Sequence, residues 1–176
     1  LAMTGMGKSN LVSLITKKIS EVKGTVIIFD YHNDYTTLNI PNVNVIDAKI
    51  NPRLLEADQF SEVLEIRENA DVQQRVLRMS FTQEVKEAGE FWKKLEYEVD
   101  LLVNSEDKKL KEIRTSAYRV QDIIEDAQRR FDDILDPEIG NPMDYIKEGC
   151  TNIINISELS EKQANVAMGF YLQQLL

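Results

Sequence analysis

Ala2 to Ser9 spells A-x-x-x-x-G-K-S, the spacing of a phosphate-binding (Walker A) loop with Ala in the first position. Each residue type has a chemical reason. Backbone N–H groups must turn inward around phosphate oxygens, and side chains would block them, so Gly5 and Gly7 supply the needed freedom. Lys8 is placed to reach the β- and γ-phosphates as a point charge, and the Ser9 hydroxyl to ligate Mg²⁺. A helix following the loop would aim its positive end at the anion. Thr4, Gly5, Met6, Gly7, Lys8, Ser9 and Asn10 are therefore the candidate nucleotide-binding residues, with ATP and Mg as the implied ligands.

A second polar cluster, "DYHNDY" at residues 30–35, follows the apolar run "TVIIFD". Ligands bind beyond the carboxyl ends of strands in open α/β sheets, which makes Asp30, His32 and Asp34 secondary candidates. His32 is the chain's single histidine, and its plain reading is an imidazole hydrogen-bonded in a strand-to-loop turn. Hydrolysis of a nucleotide also requires an acid on the metal shell and a group to position water. Asp30 superficially fits a hydrophobic strand ending in that acid (Walker B). Only one helix separates it from the loop, however, so it most naturally ends the second strand, and the acid is expected beyond Leu176. No catalytic residue is assigned.

The elements that must position these groups fall into three parts. Residues 1–52 read as the first part of a P-loop core. Leu11, Leu14, Ile15 and Ile19 lie near one face of a helix that Lys17, Lys18, Lys23 and Gly24 bring to a stop. Strands are expected at 25–30 and, after Pro41 and Asn42, at 43–48. Residues 53–141 read as helical. Val85, Ala88, Trp92, Leu95, Val99 and Leu102 form one apolar series, and Leu110 through Ile134 a second. Between them "NSEDKK" offers Ser105 as a cap, so the expectation is an antiparallel helical hairpin rather than one continuous coiled coil. Phe91 and Trp92 read as core, not as a stacking platform. Residues 142–176 return to the α/β core, with a strand at 151–156 and a helix to Leu176 opened by the capping box of Ser160 and Gln163. The fold class is thus α/β: a partial RecA-like P-loop core, a parallel sheet with flanking helices, carrying a large all-helical insertion. With no initiator Met, no strand before the loop and no stop signal after the last helix, the chain reads as a fragment of a longer protein.

Composition limits the function. The 176 residues are 43% hydrophobic and 29% charged, ordinary for a globular protein, with a formal net charge of −9. Residues 53–140 hold 14 Lys and Arg against 22 Asp and Glu, so the acidity sits in the middle of the chain. A broad nucleic-acid-binding face would be basic, so this segment reads as a solvated face or a protein-docking element. The single cysteine, Cys150, reads as a small buried apolar residue and fits a reducing cytoplasm. No apolar run approaches the roughly 20 residues needed to cross a bilayer.

"TGMGKSN", a helix, and then "VIIFDYHNDY" resemble the HerA branch of the HerA/FtsK superfamily. There the second strand typically ends in Asp-x-His-Gly-Glu-Tyr. Asp30, His32 and Tyr35 match, while Asn33 stands where Gly is usual and Asp34 where Glu is usual. "TNIINISELSEKQANVAMGFYLQQLL" resembles the family's strand, short Ser-x-Leu turn and helix ahead of Walker B. The resemblance covers residues 1–52 and 142–176. It implies a hexameric, RecA-like ATPase that translocates duplex DNA in DNA-end processing, with a NurA-type nuclease as partner. By itself this fragment is not expected to hydrolyse ATP well. Two other readings remain: a conjugation- or secretion-type ATPase of the same superfamily, and a nucleotide-gated interaction module without turnover.

Overall fold

The computed structural model describes residues 6–35, 40–106 and 113–175. In chain order the elements are α1 (Met6–Glu21), β1 (Val26–Asp30), β2 (Val43–Asp47), α2 (Ala57–Val63), α3 (Asp71–Ser80), α4 (Gln83–Glu87), α5 (Phe91–Val103), α6 (Arg114–Arg130), β3 (Thr151–Asn155) and α7 (Glu161–Leu175). They form two compact units, residues 1–48 with 140–176 and residues 49–139. Among the described residues no helix is long and apolar enough to cross a membrane.

The first unit is an α/β layer built on a three-stranded parallel sheet of order β1-β3-β2. The three expected strands are present, each one residue shorter than the apolar runs suggested. Two of the three trimmed positions keep ladder contacts: Ala48 N–H donates to Asn155 O (3.1 Å) and Ile156 N–H to Asp30 O (3.1 Å). Ile28, Ile153 and Val45 share one row across the sheet, and Phe29, Ile154 and Ile46 the next. Central β3 is buried on both faces, as a parallel strand between two others must be. Edge strand β2 leaves Val43 and Val45 exposed. On the Phe29 side, α7 brings Tyr171 edge-on to the Phe29 ring at 6.1 Å. The capping box forms as the sequence indicates: Ser160 N–H donates to Gln163 Oε1 (2.9 Å) and Gln163 N–H to Ser160 Oγ (3.4 Å).

A buried polar side chain pins the amino end of this sheet. Asn152 is fully buried, and its Oδ1 accepts from Asn44 Nδ2 on β2 and from Lys147 N–H, each at 2.8 Å. Its Nδ2 donates to Lys147 O at 2.9 Å. Because Asn44 and Asn152 are register partners, the pair fixes how β2 lies against β3.

Two details of α1 differ from expectation. Leu11, Leu14 and Ile15 do share a face, but that face is outward, with exposures of 60, 64 and 50%. At the helix end the left-handed residue is Lys23 (φ 57°), not Gly24. Gly24 is required for space instead: a Cβ there would stand 2.4 Å from Ile19 Cγ2 while Gly24 N–H donates to Ile19 O at 2.9 Å. Cys150 is half-buried rather than buried, in the turn before β3.

The second unit is a helical bundle around an aromatic cluster. Phe60 of α2 packs on Phe81 (4.7 Å between ring centres) and Phe91 (6.1 Å), and Phe81 on Phe91 (6.2 Å). Phe91 is thus a core residue, as read, with Trp92 packed beside it, and the expected seam holds at Val85, Leu95 and Val99 but falls one position off at the two ends of α5. Phe91, Leu95, Val99 and Val103 are buried, whereas Trp92 and Leu102 are only half-buried. The first apolar series is also not one helix: α4 stops at Glu87 and α5 starts at Phe91, separated by Gly89. Helix α5 ends at Val103, and α6 runs from Arg114 to Arg130 with Ala117, Val120, Ile124 and Ala127 buried. Glu96 meets Gln128 (2.5 Å) and Ser105 O meets Arg114 Nη2 (2.6 Å), so the two helices run antiparallel and are not one coiled coil. Leu110 and the rest of the expected helix start lie outside the described residues. Ile134 lies past the helix end, where its carbonyl accepts from Ile50 N–H (2.7 Å) and Ile50 O accepts from Asp136 N–H (3.1 Å). The entry and exit of this unit therefore run side by side.

Arg53 ties that junction together. Its Nε donates to Pro137 O (2.7 Å), Nη1 to Lys86 O (2.8 Å) and Ala88 O (2.5 Å), and Nη2 to Glu138 Oε1 (2.6 Å). The guanidinium carbon also lies 5.3 Å from the Phe91 ring centre. A planar fork with five donors can satisfy four acceptors on two segments at once, which an ammonium cannot.

Candidate nucleotide site

Of the candidate phosphate loop, Ala2, Thr4 and Gly5 lie outside the described residues. Met6, Gly7, Lys8, Ser9 and Asn10 form the beginning of α1, the helix the loop was expected to feed. No acidic residue stands in its first turn, so no carboxylate of that turn competes for the positive end of the helix. Ser9 is half-buried and Asn10 exposed on this turn. The residue set fits a phosphate-bearing ligand: a cation and a hydroxyl on the first turn of a helix with no competing carboxylate. Bound Mg²⁺ would neutralise phosphate charge, with the Ser9 hydroxyl as its protein ligand.

The second cluster is organised by Asp30. Its side chain is 1% exposed, at the carboxyl end of β1, and both oxygens are committed. Oδ1 accepts from Asp34 N–H (3.0 Å) and Oδ2 from Tyr35 N–H (2.8 Å). The carboxylate thereby wraps the 31–35 turn around itself. Asn33 takes a left-handed conformation (φ 56°) in this turn, which accounts for the usual Gly at that position; Asn is the residue that best replaces it. His32 is exposed and meets the Tyr31 ring edge-on at 5.2 Å between centres. Asp34 is exposed as well. Asp30 and Asp34 thus belong to one turn through a side-chain-to-backbone bond, and His32 projects from its outer side. Among the described residues no group of three or more His, Cys, Asp or Glu side chains is arranged to hold a metal ion.

Sheet register adds a residue that the motif search passes over. Asp30, Asn155 and Asp47 stand in one row at the carboxyl edge. Asn155 Oδ1 accepts from both Ser157 N–H (3.1 Å) and Ser157 Oγ (2.7 Å), shaping the turn between β3 and α7. The "NIS" of "IINISELS" carries the signal, since Asn and Ser two apart form such turns, but only the register places it beside Asp30.

Comparison with known proteins agrees with this arrangement. The family described as "Helicase HerA, central domain" matches residues 1–175. A protein of Sulfurisphaera tokodaii named "DNA double-strand break repair helicase HerA" is 39% identical over the whole chain, which covers 38% of that relative. Proteins of the same name from Sulfolobus acidocaldarius and Pyrococcus furiosus are 34 and 32% identical over 100 and 98% of the chain, covering 38 and 36% of those relatives. The chain therefore spans less than two fifths of the length of these relatives. With a matching family profile along nearly its entire length, the chain belongs to the HerA branch of the HerA/FtsK superfamily.

Proposed function

We propose that this chain is the phosphate-binding part of an ATP-driven motor that moves duplex DNA in the repair of double-strand breaks. One observation carries the reading: the A-x-x-x-x-G-K-S spacing opens a helix of an α/β unit in a chain whose relatives are named repair helicases. Lys8 would hold the β- and γ-phosphates, Ser9 the Mg²⁺, and the N–H groups of Gly5 to Ser9 the remaining phosphate oxygens. Asp30 acts here as a positioning residue. Its two oxygens hold the 31–35 turn, which supports assigning the metal-side acid elsewhere in the protein. That turn would present His32 and Asp34 beyond the sheet's carboxyl edge, toward nucleotide or a neighbouring subunit. The working assembly would be a homo-oligomeric ring, hexameric in the family's manner, in the cytoplasm and served by a NurA-type nuclease.

The test is steady-state ATP hydrolysis by the intact protein with and without duplex DNA, beside its Lys8→Ala variant. Turnover that rises with DNA and vanishes in the variant is expected. Turnover indifferent to DNA would favour a conjugation- or secretion-type ATPase. Unchanged ATP affinity in Lys8→Ala would refute the loop assignment.

A further inference from the structure

The helical unit carries an open groove of about 410 Å³ between the α2–α3 connection and the flank of α6, continuing into a second hollow of about 380 Å³. Both are lined by Arg67, Gln73 and Arg119. The two arginines are exposed, and among the described residues neither guanidinium has an ion-pair or hydrogen-bond partner. Acids outnumber bases in residues 53–140 by 22 to 14, and Arg53, Arg78, Arg129 and Arg130 each have a carboxylate. Glu65 at the groove's edge is spent on Arg130 (3.2 Å), so it does not neutralise Arg67. Glu65 is also held in the left-handed region (φ 58°), a conformation that a non-glycine residue keeps only where its surroundings enforce it. Aliphatic side chains stand among these polar groups, with Ile66 and Ile123 lining one hollow and Val72, 43% exposed, the other.

We propose that this groove docks a peptide segment of a partner protein that presents one carboxylate beside aliphatic side chains. The carboxylate would take the forked donors of Arg67 and Arg119, and the aliphatic groups would cover Ile123 and Val72. The pattern of charge favours this occupant over a nucleic acid. Asp71 and Asp122 also line the groove and would meet the successive phosphates of a polyanion, in a unit already strongly acidic. A single carboxylate seated between two guanidiniums avoids both.

The test probes the full chain with an array of ten-residue peptides, each carrying one Glu flanked by Leu, matched with the same peptides bearing Gln or Lys in place of Glu. Binding that requires Glu is expected, weakened about tenfold by Arg67→Gln and by Arg119→Gln, the effect of removing one charge-assisted hydrogen-bonding partner. Arg75→Gln, which alters an exposed arginine outside the groove lining, leaves binding unchanged, and all three variants keep the parent melting temperature. Glu-independent binding, parent-like binding by either groove variant, preference for a short DNA duplex or for the Lys peptides, or loss of fold in either groove variant would overturn the assignment.

Discussion

Replacing Asp30 with Asn tests the division of labour at the sheet's carboxyl edge. The substitution keeps the shape of the side chain and removes one of its two acceptors. Asp34 N–H and Tyr35 N–H now each have their own carboxylate oxygen, at 3.0 and 2.8 Å, in a site that is 1% exposed. An amide can accept from one of these and must turn its own N–H₂ toward the other. Losing a charge-assisted bond and leaving a buried donor opposed costs about 1.5–3 kcal/mol. For a chain of this size that corresponds to a fall in melting temperature of roughly 4–10 °C. Thermal unfolding followed by circular dichroism reads this directly, and limited proteolysis should cut faster within residues 31–35. Fluorescent nucleotide titration with and without Mg²⁺ completes the experiment, because a positioning residue leaves Mg²⁺-dependent affinity within about twofold, under 0.5 kcal/mol. Unchanged stability together with lost Mg²⁺-dependent binding would refute the reasoning and make Asp30 the metal-side acid.

Other consequences can be measured separately. Arg53→Lys keeps the charge but retains at most part of the four-acceptor fork, so urea unfolding of the helical unit should lose about 2–4 kcal/mol; a loss under 0.5 would show that the fork contributes little. Asn152→Leu leaves Lys147 N–H without its side-chain acceptor and takes from Asn44 Nδ2 one of its two, Tyr145 O remaining, and should lower stability by about 2–4 kcal/mol without altering the helical unit's own transition. Joining Ala48 to Gly140 through a short Gly/Ser linker removes residues 49–139, whose two ends already run side by side, and should leave a cooperatively melting α/β unit. Non-cooperative melting of that deletion would mean that the sheet depends on the helices.

The information in the phosphate-loop spacing, the buried strand runs and the capping box of α7 is local. Each depends on residues a few positions apart, through backbone freedom, a continuous apolar run or a cap bond, and so each could be read from the chain alone. The resemblance of "TGMGKSN" and "VIIFDYHNDY" to the HerA branch was legible for the same reason. What the chain could not reveal is whatever depends on distant partners. Nothing in "TNIINI" says that β3 inserts between β1 and β2, yet that placement puts Asp30, Asn155 and Asp47 in one row. Asp30 reads as a metal-side acid or a strand end until the fold shows both its oxygens closing a turn. The helical seam was legible at Leu95 and Val99 but its start fell one residue off, because Phe91 and Trp92 are both apolar and both meet Phe60, and only packing on Phe81 separates them. Leu11, Leu14 and Ile15 mark an apolar face by their spacing, but spacing cannot tell whether a face is covered. Periodicity reports which side chains share a face; tertiary packing alone decides what that face meets.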